Sequence, residues 1–158
     1  MKKLLLILLC LPMIGFGQQT YVPDDNFESY LETNGMGNGI LGDDSVFTAN
    51  INTITQLGID SLAIADLTGI EDFISLDSLS CNQNQLTSLD VSANTALTDL
   101  RCTYNQITSL DVSNNTALTV LKCYGNPMTT LDVSNNTALT TLLCFSNQLT
   151  TLDVSQNT

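Results

Sequence analysis

Cys81, Cys102, Cys123 and Cys144 stand 21 residues apart along a 158-residue chain. Spacing this even constrains the fold more than any local propensity, because a fixed period means one structural unit built again and again. The blocks Leu76 to Leu86, Leu97 to Ile107, Leu118 to Met128 and Leu139 to Leu149 all read L-x-x-L-x-C-x-x-N-x-(L/I/M). Each is followed by Thr-x-Leu-Asp-Val-Ser-x-Asn-Thr. One such unit is too thin to bury its own apolar side, so the units must stack and share a continuous core.

Within a block, apolar and polar residues alternate around Leu79 and Cys81, as in a short half-buried strand. Strands from successive units then lie about 4.8 Å apart in parallel. The column Asn84, Asn105, Asn126 and Asn147 falls just past each strand, where an amide can satisfy the backbone of its own bend and of the neighbouring coil. The cysteine column Cys81, Cys102, Cys123 and Cys144 fills one inward slot. Ten residues after each strand, Leu86-Thr-Ser-Leu89-Asp-Val91-Ser-Ala-Asn94 repeats the form L-x-x-L-x-V-x-x-N. That nested copy predicts a narrow solenoid with a short parallel sheet on each side and little helix.

The L-x-x-L-x-C-x-x-N-x-L blocks resemble the leucine-rich repeat signature, with Cys in the third apolar slot. Their L-D-V-S-x-N-T continuation resembles a bacterial subclass common in exported proteins of Bacteroidetes. The resemblance covers residues 54–158, and it implies a right-handed stack of parallel β-coils used for binding rather than catalysis. Ile54-Thr-Gln-Leu57-Gly-Ile59, followed by Leu62, Ile64, Leu67 and Ile70, reads as a divergent opening coil in which Leu62 takes the ladder Asn position. Its Ile64-Ala-Asp-Leu67-Thr-Gly-Ile70-Glu-Asp-Phe73 is similar to the first coils of internalin-type repeats. The predicted coils are 54–75, 76–96, 97–117, 118–138 and an incomplete 139–158. Relatives of this kind carry further repeats and a sorting domain, so a longer array is expected.

Upstream, residues 18–53 read as an N-terminal cap. Asp24 and Asp25 precede Phe27, Tyr30 and Leu31 at helical spacing, which predicts a cap helix over the first coil. Asn34-Gly35-Met36-Gly37-Asn38-Gly39 reads as turns, since no strand, Lys or Ser/Thr accompanies it as a phosphate loop requires. Residues 1–17 have the three zones of a secretory signal: Lys2-Lys3, an apolar run from Leu4 to Ile14, then Gly15-Phe16-Gly17. The run is too short to span a bilayer, and Leu9 before Cys10 disfavours a lipid anchor. The predicted location is therefore secreted or cell-surface, without membrane insertion.

Export would leave two cations, Arg101 and Lys122, against 16 acidic residues. That balance excludes nucleic acid and anionic membranes as partners, both of which need clustered Lys and Arg.

Stacking turns sequence columns into surface columns, so candidate ligand contacts can be read where the repeats disagree. The outward columns run Ser78, Asp99, Val120, Thr141; Ser80, Arg101, Lys122, Leu143; and Asn82, Thr103, Tyr124, Phe145. Early coils present small polar groups, and later ones present Val120, Tyr124, Leu143 and Phe145 beside both cations. Aromatic and Arg enrichment on one face marks a protein-binding patch. The expected site is thus Asp99, Arg101, Thr103, Val120, Lys122, Tyr124, Thr141, Leu143 and Phe145, with a protein or glycan ligand. Ordinary surface exposure of the last coil is the competing reading.

Other constellations have structural readings. Asp90, Asp111, Asp132 and Asp153 form an acidic column that could gather calcium or simply close Asx turns; with neither an EF-hand nor a nonapeptide calcium motif present, no metal is expected. Parallel in-register cysteines point the same way, which favours buried free thiols over disulfides, although neighbouring coils come within bonding range. Asp24, Asp25, Glu28, Asp43 and Asp44 could supply a glycosidase pair, but capping and loop roles account for them. The sequons at Asn114 and Asn135 fall in repeat slots and read as structural. With no His in the chain, no enzyme and no cofactor are expected. A spacer or adhesin stalk for another domain, or an accessory region of a secreted hydrolase, are the alternatives to a binding module.

Overall fold

The computed structural model describes residues 17–157, so the predicted signal segment lies outside the described residues except for Gly17. Five three-residue strands, β3 (Gln56–Gly58), β4 (Ser78–Ser80), β5 (Asp99–Arg101), β6 (Val120–Lys122) and β7 (Thr141–Leu143), form one parallel sheet in chain order. Leu57, Leu79, Leu100, Leu121 and Leu142 lie directly opposite one another along it. Each strand turns its central Leu inward and its two neighbours out, which is the period-2 rule applied to a single coil. The ladder continues past the strands: Cys81 N–H donates to Arg101 O at 2.8 Å, Cys102 N–H to Lys122 O at 2.9 Å and Cys123 N–H to Leu143 O at 2.9 Å. This is a parallel β-solenoid.

A sharp bend follows each strand. The residue before the ladder Asn sits in the left-handed region, at Gln83, Tyr104, Gly125 and Ser146, and the Asn side chain then reaches back into the stack. Asn105 Nδ2 donates to Cys102 O of its own coil (3.2 Å) and to Cys81 O of the previous one (3.0 Å), while Oδ1 accepts from Leu86 N–H (3.1 Å). Asn84 and Asn126 repeat the pattern. Leu62, half-buried in the opening coil, receives such a bond instead, its N–H donating to Asn84 Oδ1.

The opposite side of the coil departs from expectation. Leu86 to Val91 and their equivalents form no second parallel sheet among the described residues. The reason is local: Asp90 Oδ1 accepts Ser92 N–H at 2.9 Å, Asn94 N–H donates to Val91 O at 3.0 Å, and Leu97 N–H to Asn94 O at 3.1 Å. An Asx turn followed by two tight turns takes the backbone out of the extended conformation a ladder needs. Side-chain amides bridge the coils there instead, with Asn115 Nδ2 donating to Val91 O and Asn94 O at 2.9 Å each. The core between the two sides is one cluster in which Leu76, Leu79, Cys81, Leu86, Val91 and Leu97 recur coil by coil, all fully buried. Each buried Leu contributes about 1.5–3 kcal/mol.

The cap closes the first coil. Helix α1 (Asp25–Thr33) is present as predicted, joined by an antiparallel pair β1 (Gln19–Tyr21) and β2 (Ser45–Phe47) and a single-turn helix α2 (Thr48–Ile51). One carboxylate does two jobs: Asp24 Oδ1 accepts Asn26 and Phe27 N–H at 3.0 Å and caps α1. Its Oδ2 accepts Ala65 and Asp66 N–H of the first coil at 2.8 and 3.1 Å. Phe27 lies against Phe73 with ring centroids 6.3 Å apart. Gly69 (φ 102°) lets β1 come so close that a Cβ there would sit 2.8 Å from Tyr21 O.

Candidate functional site

Because every strand shows two side chains outward, the face of the five-stranded sheet is the surface on which coils can differ without disturbing the core. Its early half is a closed polar network. Asp60 accepts from Ser80 Oγ (2.8 Å), Asn82 N (2.7 Å) and Asn82 Nδ2 (3.2 Å). Asn82 Oδ1 in turn accepts from Thr103 N (2.9 Å) and Thr103 Oγ1 (2.7 Å). Thr103 is consequently buried, only 4% exposed, and is removed from the accessible face on which the alternation placed it.

The late half is different. Arg101 lies across Asp99 with Nε and Nη2 donating to its two carboxylate oxygens at 3.0 and 2.6 Å. Lys122 stands beside Arg101 on the next strand, their Cα atoms paired in the ladder. Val120 and Thr141 are half-buried, and Leu143 is exposed at the edge of the sheet. Past the strands, three rings form a file: Tyr104 meets Tyr124 edge-on at 5.2 Å, and Tyr124 stacks on Phe145 at 4.3 Å with 11° between planes. Tyr104 and Phe145 remain more than half exposed.

Tyr104 was missing from the sequence-derived set. It occupies the left-handed slot of its coil, which the strand alternation does not reach, yet its ring folds over the next coil because that coil has Gly in the same slot. A Cβ on Gly125 would lie 2.7 Å from Tyr104 Cδ1. An aromatic followed one period later by Gly was the available signal.

The remaining candidates are tied into structure. Asp90, Asp111, Asp132 and Asp153 each accept the N–H of the Ser two residues on, at 2.8–2.9 Å. For Asp90 and Asp111, hydrogen bonds from Ser92 and Ser113 hold the carboxyl below its ordinary value, with the neighbouring Asp111 pushing back on Asp90. Among the described residues, the group of three carboxylates close enough to share a cation is Asp25, Glu28 and Asp44, not this column. Glu28 is buried and accepts N–H bonds from Gly42 and Asp43. Asp43 accepts from Asn38 and Ser45. The sequon residues Asn114 and Asn135 donate to Ser92 O and Ser113 O of the previous coil. All four ladder cysteines are free thiols; burial pushes Cys81 and Cys123 up to about 12, Cys102 well above its ordinary value, and Cys144 less. Among the described residues no helix is long and apolar enough to cross a membrane.

Comparison with known proteins agrees with this geometry. No protein-family model matches the chain. Internalin J of Listeria monocytogenes is 43% identical over 75 residues, which are 48% of this chain and 8% of that protein. The solved functional domain of internalin J, described as including a cysteine ladder, superposes with a TM-score of 0.80 at 41% identity, over 89% of this chain and 32% of that one. A second Listeria internalin, internalin F, matches in fold with a TM-score of 0.69 at 22% identity, over 86% of this chain and 46% of its own. The chain thus spans a minor part of each relative's length, and its fold is a leucine-rich repeat solenoid.

Proposed function

We propose that this chain is a non-catalytic recognition module of an exported or surface-displayed protein, binding a protein or glycan partner through the late half of its strand face. The observation that carries the reading is the change of character along one face of a regular stack. Polar groups on the early coils are consumed by one another, whereas Lys122, Tyr124, Leu143 and Phe145 reach solvent side by side. The repeat pattern requires none of these residues, since Asn82 and Thr103 fill the slot of Tyr124 and Phe145 in earlier coils, and an exposed aromatic cluster with cations beside it is the composition of a binding hot spot. The likeness to internalin J supports the reading, as does the apolar segment at residues 4–14, which suits export. The repeat continuation L-D-V-S-x-N-T further suits the exported repeat proteins of Bacteroidetes. A spacer or stalk role is the second reading, favoured by the small share of internalin J that these coils span.

The test is a comparison of immobilised wild type with the double variant Tyr124→Ala, Phe145→Ala. Loss of retained partner by a variant that still melts cooperatively, lowered only by the few degrees that two lost ring contacts cost, is the expected result. Equal retention by both proteins would move the binding surface elsewhere or favour the spacer.

A further inference from the structure

Resting on that strand-face reading, we propose that the ligand is an acidic protein segment, one that sets a carboxylate against Lys122 and an adjacent apolar side chain against the edges of Tyr124, Leu143 and Phe145. Charge distribution is the first ground. The cations of residues 17–157, Arg101 and Lys122, are neighbours in the same sheet register, on a chain with 16 acidic residues. Like charges directly opposite on adjacent strands repel, so nothing in the stability of the stack calls for this pairing. Asp99 neutralises Arg101 with a bidentate contact. Lys122 is half-buried and makes no ion pair among the described residues. Lys122 is therefore the point on this acidic surface where a carboxylate meets a cation not already paired, an attraction that acts at contact range, within about one Debye length.

Ring geometry is the second ground. Tyr124 is flanked by Tyr104 on one side and stacked on Phe145 at 4.3 Å on the other. That separation is close to the spacing between neighbouring coils, and the planes are 11° from parallel, so the rings lie across the stacking axis and present edges outward. Tyr124, held between its two neighbours, offers a pyranose no open face, whereas Tyr104 and Phe145 remain more than half exposed. Ring edges beside Leu143 instead form a narrow apolar strip, suited to a Leu or Phe side chain next to the acidic residue that meets Lys122.

The experiment pans a phage-displayed library of random linear peptides against the purified chain and against Lys122→Glu, with Lys122→Met as a charge-free variant that keeps the aliphatic stem. Wild type should enrich Asp or Glu next to Leu or Phe, and the enriched peptides should bind Lys122→Met about tenfold more weakly and Lys122→Glu more weakly still. Both variants should melt close to wild type, since among the described residues the Lys122 side chain makes no hydrogen bond or ion pair and its backbone bond to Cys102 N–H is kept. Enrichment without charge preference, undiminished binding to Lys122→Glu, or no enrichment would each overturn the proposal. Peptides that bind without charge preference yet depend on Tyr124 and Phe145 would overturn it while leaving the strand-face reading intact. Retention of polygalacturonate, a uronic-acid polymer, with no enriched peptide would also overturn it.

Discussion

Replacing Asn105 by Ala removes four hydrogen bonds from the interior of the stack, but the bonds are unequal and the cost can be worked out group by group. Cys81 O keeps Asn84 Nδ2 at 3.2 Å, Cys102 O keeps Asn126 Nδ2 at 3.0 Å, and Thr103 O keeps Gln83 N–H at 2.8 Å. Leu86 N–H has no replacement: Asn105 Oδ1 is its partner among the described residues. One buried orphaned donor costs about 1–3 kcal/mol, and the lost side-chain packing brings the total to about 2–4 kcal/mol. In a domain of this size that is roughly 6–12 °C in melting temperature. Asn115 provides the contrast, because its Oδ1 is buried with no partner. Substituting Ala there orphans no donor, because Oδ1 accepts from none, and it bares no acceptor, since Val91 O keeps Asn94 N–H and Asn94 O keeps Leu97 N–H. With the same packing loss included, about 1–2 kcal/mol is expected. Urea unfolding followed by circular dichroism, with exposed Gln106→Ala as a control near zero, measures all three. An Asn115→Ala loss equal to or larger than that of Asn105→Ala would refute the orphaned-donor reasoning.

Three further outcomes follow from the same structure. Gly69→Ala places a Cβ against Tyr21 O at a positive φ, so the cap should loosen at a cost of about 2–3 kcal/mol; limited proteolysis should cut within residues 18–53 while the later coils resist, and an unchanged digestion pattern would count against the contact. Asp111 and Asp132 have folded-state values below the ordinary 3.8, so their stabilisation is present above that value and is lost as pH falls below it. Asp111→Asn with Asp132→Asn keeps the turn acceptor but should flatten the acid limb of a melting-temperature profile, and a limb as steep as wild type would contradict the assignment. The raised thiols act in the other direction: stability is present below their ordinary 9.0 and is lost as pH rises from there towards about 12. In native protein at mildly alkaline pH, half-exposed Cys144 should alkylate first and Cys81, Cys102 and Cys123 only on unfolding; early labelling of Cys102 would contradict its burial.

How far the sequence could be read depended on whether a residue answers to the period or to its neighbours. Leu79, Cys81 and Asn84 recur in each of the four regular coils, so their inward positions were legible from spacing alone, as was the helix that Phe27, Tyr30 and Leu31 pattern. Val91 also recurs, yet the strand predicted around it is absent: an Asp-x-Ser Asx turn beside an Asn turn outweighs apolar alternation, and alternation alone does not register turn chemistry. Thr103 was placed on the open face and Tyr104 was missed for the opposite reason. Burial of Thr103 depends on Asn82 in the previous coil, and the exposure of Tyr104 over the face depends on Gly125 in the next. Asp24 was read as a helix cap, which it is, but its second pair of hydrogen bonds spans 41 and 42 residues to Ala65 and Asp66, a separation no local pattern encodes.

In the proposed division of labour, repeated slots serve stacking and unrepeated slots serve recognition. One alanine scan across both sets tests it, displaying each variant, sorting for protease resistance, and sorting in parallel for retention of a peptide selected on wild type. Variants at Asn84, Asn105 and Asn126 should lose resistance, while those at Lys122, Tyr124, Leu143 and Phe145 should keep resistance and lose the peptide. If the second set unfolds with the first, or keeps the peptide, the division between stacking and recognition is wrong.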